Sequence, residues 1–364
     1  MPKSTGFAAR GTLGALSFLA LSAAPLPAAA VPAPEESSRI SFTQRYHAVH
    51  RGGIVRAANS AITCRTPKST AVAPCSSVRK GSAAANNDFD MFYIDEDSDP
   101  NTYNSSRGEL VVPRESRVSY ARLYWGGNLR VGEQKPPEDN GRVLIAEPGG
   151  QYKEVLADTR VAHRDADGAD AFQASADITR LVRRSGSGLY TVAQVNVAMG
   201  HSKAGSWGGW TMVVAYENES EPMRHLAIWD GFETMSADRR RHTLRLKGLN
   251  IPANASGRAG IVAYDGDRGV RGDSVSARSG KEKFVALADR ANPDDDIMNS
   301  TITDVGRSGI RRQPGYLNAL GYDSDVFSIK PALKKGASTL DFRFDAERAG
   351  YYLGVLFVQA DSRR

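Results

Sequence analysis

GYYLGVLFVQ, residues 350–359, is apolar on both of its alternating faces. A strand with one wet face alternates apolar and polar residues, whereas a strand covered on both faces reads as a continuous apolar run. The stretch therefore predicts a central strand held between two layers. Runs of the same kind recur upstream: RVSYARLYWGG (117–127), GLYTVAQVNVAMG (188–200), GWTMVVAYEN (209–218), RHLAIWDGF (224–232) and GRAGIVAYDGD (257–267). Each is rich in β-branched and aromatic residues and is bounded by Gly, Asn or Glu-Pro. Helix signals are few. Asp177 can cap a short helix in SADITRLVRRSGSG that stops at Gly186, and GKEKFVALADRANP (280–293) is a second candidate ended by Asn292-Pro293. Many strands, glycine-rich turns and rare helices predict a mainly β chain, an antiparallel β-sandwich of jelly-roll or Ig-like type with two lobes dividing near residues 200–205.

The two ends of the chain point to export. Lys3 and Arg10 precede the apolar stretch LGALSFLALSAAPL and the small-residue segment PAAAVPA, the pattern of a secretory signal peptide cleaved after Ala30. Residues 31–39, VPAPEESSR, read as a polar, disordered leader, residues 40–360 as the large β domain, and residues 361–364 as a polar tail. Removing Lys3 and Arg10 lowers the formal charge from +6 to +4, and the remaining basic residues are dispersed apart from DRRRH at 238–242. A nucleic-acid binder concentrates its charge in a patch, so that class is excluded despite a pI near 9.2. No later apolar run approaches the roughly 20 residues of a spanning helix. The two cysteines, Cys64 and Cys75, form a close pair in TCRTPKSTAVAPC without CxxC spacing or neighbouring histidines. In an exported chain such a pair predicts a structural disulfide, contributing on the order of 3 kcal/mol by the chain-entropy argument.

Four features of the sequence bear on chemistry. In FYIDEDSDPNTYNSS (92–106), Asp95, Asp97 and Asp99 occupy the first, third and fifth positions of an EF-hand loop, but Pro100 and Ser106 stand where Gly and Glu belong. A calcium site outside the EF-hand pattern and a solvated acidic turn remain as the two readings, since Asp, Asn, Ser and Pro are also turn formers. In YDGDRGVRGDSVS (264–276) the glycines match neither a dinucleotide nor a phosphate loop, the serine lacks a nucleophile elbow, and RGD is a short tripeptide in a charged turn. Six dispersed histidines show no zinc spacing. Of the tryptophans, Trp125, Trp210 and Trp229 sit in alternating strands and read as core, whereas Trp207, in the loop GSWGGWT, is the candidate exposed ring for binding.

Taken in order, GGIVRAANSAITC, NNDFDMFYIDEDSDPNTYNSS, RVSYARLYWGG, GWTMVVAYENESEPMRHLAIWDGFETM, GIVAYDGDRGVRGDS, NPDDDIMNST and GYDSDVFSI resemble a family of exported bacterial surface proteins. Its members carry a large N-terminal β domain of unassigned function, often followed by conserved Ig-like repeats and a wall anchor. The resemblance spans most of residues 52–360 and implies no catalytic residues. This chain ends at the β domain itself, which leaves free secretion or loose envelope association. The expected function is non-catalytic binding of a cell-envelope or extracellular polymer or protein. The alternatives are a secreted polysaccharide hydrolase using carboxylates of the 88–99 and 264–273 loops, and a self-assembling structural subunit.

Overall fold

The 21-residue strand Ile40–Ser60 organises the molecule, because its two halves belong to different sheets. Residues 40–51 pair with Met223–Met235, and residues 52–60 pair with Gly208–Glu217. The change of partner falls at Gly52-Gly53. Gly52 has φ +141°, and a Cβ there would lie 2.0 Å from the carbonyl oxygen of Tyr216. Only glycine can turn this corner without a clash.

The structure is a computed structural model that describes residues 35–308, 310–347 and 350–363. The segment expected to be the signal peptide and residues 31–34 of the leader lie outside the described residues. Half of the described residues are strand and 6% helix, and the arrangement is the antiparallel β-sandwich expected from the sequence. The described residues fall in one compact unit.

Alternation along the strands sorts side chains into three cores that lie between four layers. The first inner sheet runs, in order, Glu36–Ser37, Val161–Ala166, Ala169–Asp177, Arg117–Asn128, Gly208–Glu217 and the second half of Ile40–Ser60. The second inner sheet continues from the first half of Ile40–Ser60 through Met223–Met235, Tyr351–Asp361, Gly257–Tyr264 and Tyr322–Ser328. Trp210, Met212 and Val214 face an outer sheet containing Ser105–Leu110, Gly188–Ala193 and Arg142–Ala146, where they meet Leu110, Tyr190, Val192 and Ile145. Val213 and Ala215, one residue out of phase, pack with Leu226, Ile228, Val355 and Phe357 of the second inner sheet. On the far side, Leu353, Leu356 and Val358 pack with Leu340, Phe342 and Phe344 of the other outer sheet. Tyr351–Asp361 is thus covered on both faces, as its sequence requires. Each large apolar side chain buried there contributes about 1.5–3 kcal/mol.

Three local expectations need correction. The leader is not wholly unstructured: Glu36–Ser37 pair in parallel with Val161–Ala162, and Glu36 Oε2 lies 2.7 Å from His163 Nδ1. Residues 280–293 form no helix; they turn back and add the short strand Val285–Ala286 beside Asp273–Ser279. Pairing with that sheet edge overrides a weak helical period. Trp207 is fully buried rather than exposed. Gly205, at φ +78°, turns the loop inward, and the indole lies 5.3 Å from the Tyr352 ring and 5.8 Å from that of Tyr264. The helix Thr179–Ser185 does form, with Asp177 Oδ1 accepting the Thr179 N–H at 2.8 Å and Gly186 at φ +67° ending it. Cys64 and Cys75 are joined in a disulfide with Cα atoms 5.7 Å apart. Trp125 and Trp210 are fully buried, each donating its indole N–H at 2.9 Å, to Asn140 O and Ser106 Oγ respectively.

Candidate functional site

The densest chemistry in the fold gathers where the loop 264–273 meets residues 292–303 and the strand Tyr322–Ser328. Strand alternation puts Asp323 and Asp325 on one face, with Ser324 on the other, as in GYDSDVFSI. Both carboxylates are buried and reach the backbone of the neighbouring segment. Asp323 Oδ1 accepts the Thr301 N–H at 3.1 Å. Asp325 Oδ1 accepts the Thr303 N–H at 2.8 Å, the Thr303 hydroxyl at 2.5 Å and the Thr301 hydroxyl at 3.0 Å. Asp273 Oδ1 accepts both the Ile297 and Met298 N–H groups at 2.7 Å. Asp296 Oδ2 takes the Gly269 N–H at 2.9 Å. Asp267 Oδ1 takes the Asn86 backbone N–H at 2.9 Å, and Asp265 Oδ1 the Asn86 side-chain amide at 3.2 Å.

Backbone geometry holds these groups in place. Asp265 (φ +65°) and Ser300 (φ +60°) adopt left-handed conformations that cost L-residues about 1 kcal/mol or more each. Ser300 compensates by donating its hydroxyl to Gly266 O at 2.6 Å and accepting the Gly321 N–H at 2.7 Å.

Burial dominates the electrostatics. It pushes Asp267, Asp273 and Asp325 up to about 7, against the pull of the amide and hydroxyl donors each accepts. Burial, reinforced by Asp325, drives Asp323 well above the usual carboxylate range; burial, reinforced by Asp267, does the same for Asp265. Asp296 is raised too, again first by burial. The guanidinium of Arg268 lies within electrostatic reach, but its N–H groups go to the carbonyls of Gly81, Asn299 and Leu317. Six carboxylates therefore gather in one region, Asp273, Asp296, Asp323 and Asp325 buried and Asp265 and Asp267 half-buried, and several of them change charge near neutrality. Asp323 Oδ2 and Asp296 Oδ1 are buried without a hydrogen-bond partner. Among the described residues no three His, Cys, Asp or Glu side chains are spaced to hold a metal ion.

The acidic stretch singled out from sequence is a different, self-contained loop. Asp97 Oδ1 accepts the Asp99 N–H at 2.8 Å and the Thr102 hydroxyl at 2.9 Å, while Oδ2 takes the Tyr152 hydroxyl. Asp99 Oδ1 caps Asn101 through its N–H at 2.9 Å, and Asp95 Oδ1 accepts the Ser105 hydroxyl at 2.9 Å. Partial burial alone would raise the Asp97 carboxyl, but the donors from Tyr152, Asp99, Thr102 and Ser105 outweigh it and hold the group below the usual range. Both oxygens of Asp97 and one each of Asp95 and Asp99 are thus engaged within or beside the loop.

Elsewhere the sequence features resolve into structural contacts. Arg271 of RGD pairs with Asp295 at 3.3 Å, and its Asp273 is buried. In DRRRH, Arg239 pairs with Glu233 and Arg241 with Asp345. His201 Nε2 faces Asn87 O, and Ser274 sits opposite Asp345 in an outer sheet. His47 and His225 place their Nε2 atoms in contact across adjacent strands, and burial holds His225 down to about 4. Sequence reading missed the buried carboxylate cluster, whose legible trace was the pair of aspartates two apart in an otherwise buried strand.

No protein-family model and no curated protein matches the sequence. Among solved structures, the chain is similar to the major capsid protein P2 of bacteriophage PM2, with 11% identity over 85% of this chain and 97% of that one, at a TM-score of 0.21. A structure from Sulfolobus turreted icosahedral virus aligns with 6% identity over 85% and 91% of the two chains, at a TM-score of 0.20. Scores at that level carry no functional inference.

Proposed function

We propose that this is an exported, non-catalytic β-sandwich protein that binds a cell-envelope or extracellular partner, akin to the N-terminal domains of the bacterial surface family its sequence resembles. The observation that supports this reading is the direction of the loop carboxylates. In the two loops a hydrolase would use, half-buried Asp97 and Asp267 and buried Asp273 accept backbone amides or local hydroxyls. Groups so engaged rigidify loops; they do not flank an open substrate path, as paired carboxylates in glycoside hydrolysis must. The disulfide and the absence, among the described residues, of any helix long and apolar enough to cross a membrane are compatible with export.

The test is sedimentation of the purified protein with peptidoglycan, chitin and cellulose, run beside release of reducing sugar from each. Saturable retention without turnover is the expected result. Turnover that disappears in the Asp97→Asn/Asp267→Asn double variant, with folding intact, would replace the binding role by the hydrolase.

A further inference from the structure

His47 and His225, 178 residues apart in sequence, meet on one face of the second inner sheet. In the antiparallel pair formed by residues 40–51 and Met223–Met235, His225 stands opposite Val49 and Ala227 opposite His47. Residues two apart on a strand share a face, so the two histidines are diagonal neighbours, a separation that aromatic side chains span. Their ring centroids are 4.3 Å apart, the planes are inclined at 56°, and the two Nε2 atoms are in contact. His50 takes no part: an odd step along the strand turns it to the other face, where its ring lies 3.3 Å from Tyr46 Oη.

The pair is open on one side. His225 is buried, but His47 is exposed, and so is Val49 on the same face. The outer-sheet strand Arg241–Lys247 ends beside them, and Gly248 follows it at φ +76°. A Cβ on Gly248 would meet a single heavy atom within 4 Å, His225 Cε1 at 3.9 Å, so a side chain is missing where it would cover the ring. His225 Nδ1 is buried without a partner, so no second hydrogen bond fixes the tautomer of that imidazole. Its Nε2 can therefore serve either as a hydrogen-bonding atom toward His47 or, unprotonated, as a metal ligand beside it.

We propose that His47 and His225 form a surface site for a divalent transition-metal ion, held by Nε2 of each ring, with its remaining positions open to solvent or to a further ligand. The donor set selects the ion. Imidazole nitrogen suits Zn²⁺, Ni²⁺ and above all Cu²⁺, whereas Ca²⁺ and Mg²⁺ want oxygen ligands. Metal–nitrogen bonds of about 2.0–2.1 Å meeting near a right angle place the two nitrogens about 3 Å apart. Exposed His47 reaches that separation by a small outward rotation, while buried His225 stays fixed by its surroundings. Two protein ligands make an exchangeable site rather than a closed structural one, for which four are usual. The site goes beyond the envelope-binding role above and does not rest on it.

Calorimetric titration of the full chain with Zn²⁺ at pH 7.5, beside pulsed EPR of the protein carrying less than one equivalent of Cu²⁺, tests the assignment. The expected results are saturable Zn²⁺ binding that excess Ca²⁺ and Mg²⁺ do not displace, and an EPR modulation from the remote nitrogens of two imidazoles. His47→Ala, at an exposed position, is expected to weaken Zn²⁺ at least about tenfold, because the second ring binds the same ion at a raised effective concentration. The same variant should reduce the modulation to one imidazole or none, with circular dichroism unchanged, while His201→Ala should alter neither signal. No saturable binding up to about 1 mM Zn²⁺, the weakest affinity worth about 4 kcal/mol, would overturn the site and leave the pair as a hydrogen bond between strands. So would modulation from fewer than two imidazoles in the native protein, or unchanged affinity in His47→Ala. Should His47→Ala not fold, His47→Gln, which keeps a polar end, is read by the same two measurements.

Discussion

Replacing Asp273 by asparagine should stabilise this protein at alkaline pH and leave it nearly unchanged in acid. In the folded chain Asp273 is 2% exposed and, chiefly through burial, titrates at about 7, whereas in the unfolded chain it titrates near its ordinary value of 3.8. Below about pH 4 both states hold the proton and the group is neutral to the balance. Between about 4 and 7 the unfolded state has released its proton and the folded state has not, so stability falls as pH rises. The displacement of about three pH units, at about 1.4 kcal/mol each, makes the full loss about 4 kcal/mol, complete above pH 7. Asparagine keeps an oxygen to accept the Ile297 and Met298 N–H groups, at 2.7 Å in the native chain, and never ionises. It also relieves the repulsion between Asp273 and Asp296. Urea unfolding of both proteins at pH 4.5 and pH 8 reads the effect. The variant's advantage should be about 1 kcal/mol at pH 4.5 and grow by about 3 kcal/mol at pH 8. A difference between the two proteins that is the same at both pH values would refute the reasoning, because a purely structural effect of the amide carries no pH dependence.

Two further outcomes follow from the same geometry. Asp97→Ala removes the acceptor of the Asp99 N–H and of the Thr102 and Tyr152 hydroxyls, and should cost about 1–3 kcal/mol at neutral pH, less in acid as the native carboxyl protonates; the denaturation midpoint of the native protein should be the same in EDTA and in millimolar calcium. Gly52→Ala should abolish soluble expression or lower the thermal midpoint sharply, since the new methyl would sit 2.0 Å from Tyr216 O at a φ of +141°, while Gly149→Ala, with nothing within 4 Å, should be far milder.

Much of the architecture was legible because burial leaves its period in the chain. The unbroken apolar run at 350–359 reports a strand with two dry faces, and the alternation at 209–218 separates Trp210 and Met212 from Val213 and Ala215 into different cores. The cysteine pair and the helix bracketed by Asp177 and Gly186 were readable from local chemistry alone. Trp207 was misread because a glycine-rich loop ordinarily runs on the surface, and nothing local says that Gly205 and Gly321 let this one dip. A Cβ on Gly321 would stand 2.6 Å from that of Trp207, a constraint set by a residue more than a hundred positions away. The carboxylate cluster was hidden for a related reason. Asp, Gly and Asn in sequence signal exposed turns, and only tertiary contact reveals that YDGDRG and NPDDDIMNST are folded against a sheet edge.

That edge explains why so many acids are buried together. Tyr322–Ser328 is the last strand of the second inner sheet, and such an edge exposes unpaired N–H and C=O groups that invite pairing with other chains. Here residues 301–305 lie along it: Ser324 N–H donates to Thr301 O at 2.9 Å, Val326 N–H to Thr303 O at 3.0 Å, and Val305 N–H to Val326 O at 2.7 Å. Backbone pairing supplies only part of the attachment, because the segment is too irregular to form a ladder. Asp323 and Asp325 add side-chain acceptors for the Thr301 and Thr303 N–H groups, and Asp273 anchors the preceding residues through Ile297 and Met298. A protonated aspartate is well suited to this work, since its carbonyl oxygen accepts an amide while the neutral form avoids the desolvation of a buried charge. Ionisation strengthens each of these hydrogen bonds, but the desolvation of the buried charge and, at Asp273, repulsion from Asp296 outweigh that gain. Raising the pH should therefore loosen residues 292–303 before the sheets themselves, and amide hydrogen exchange at pH 6 and pH 8, corrected for the intrinsic rate, should show protection lost first at Thr301 and Thr303. Equal loss of protection along the central strand Tyr351–Asp361 would mean that the carboxylates support the whole fold rather than its edge.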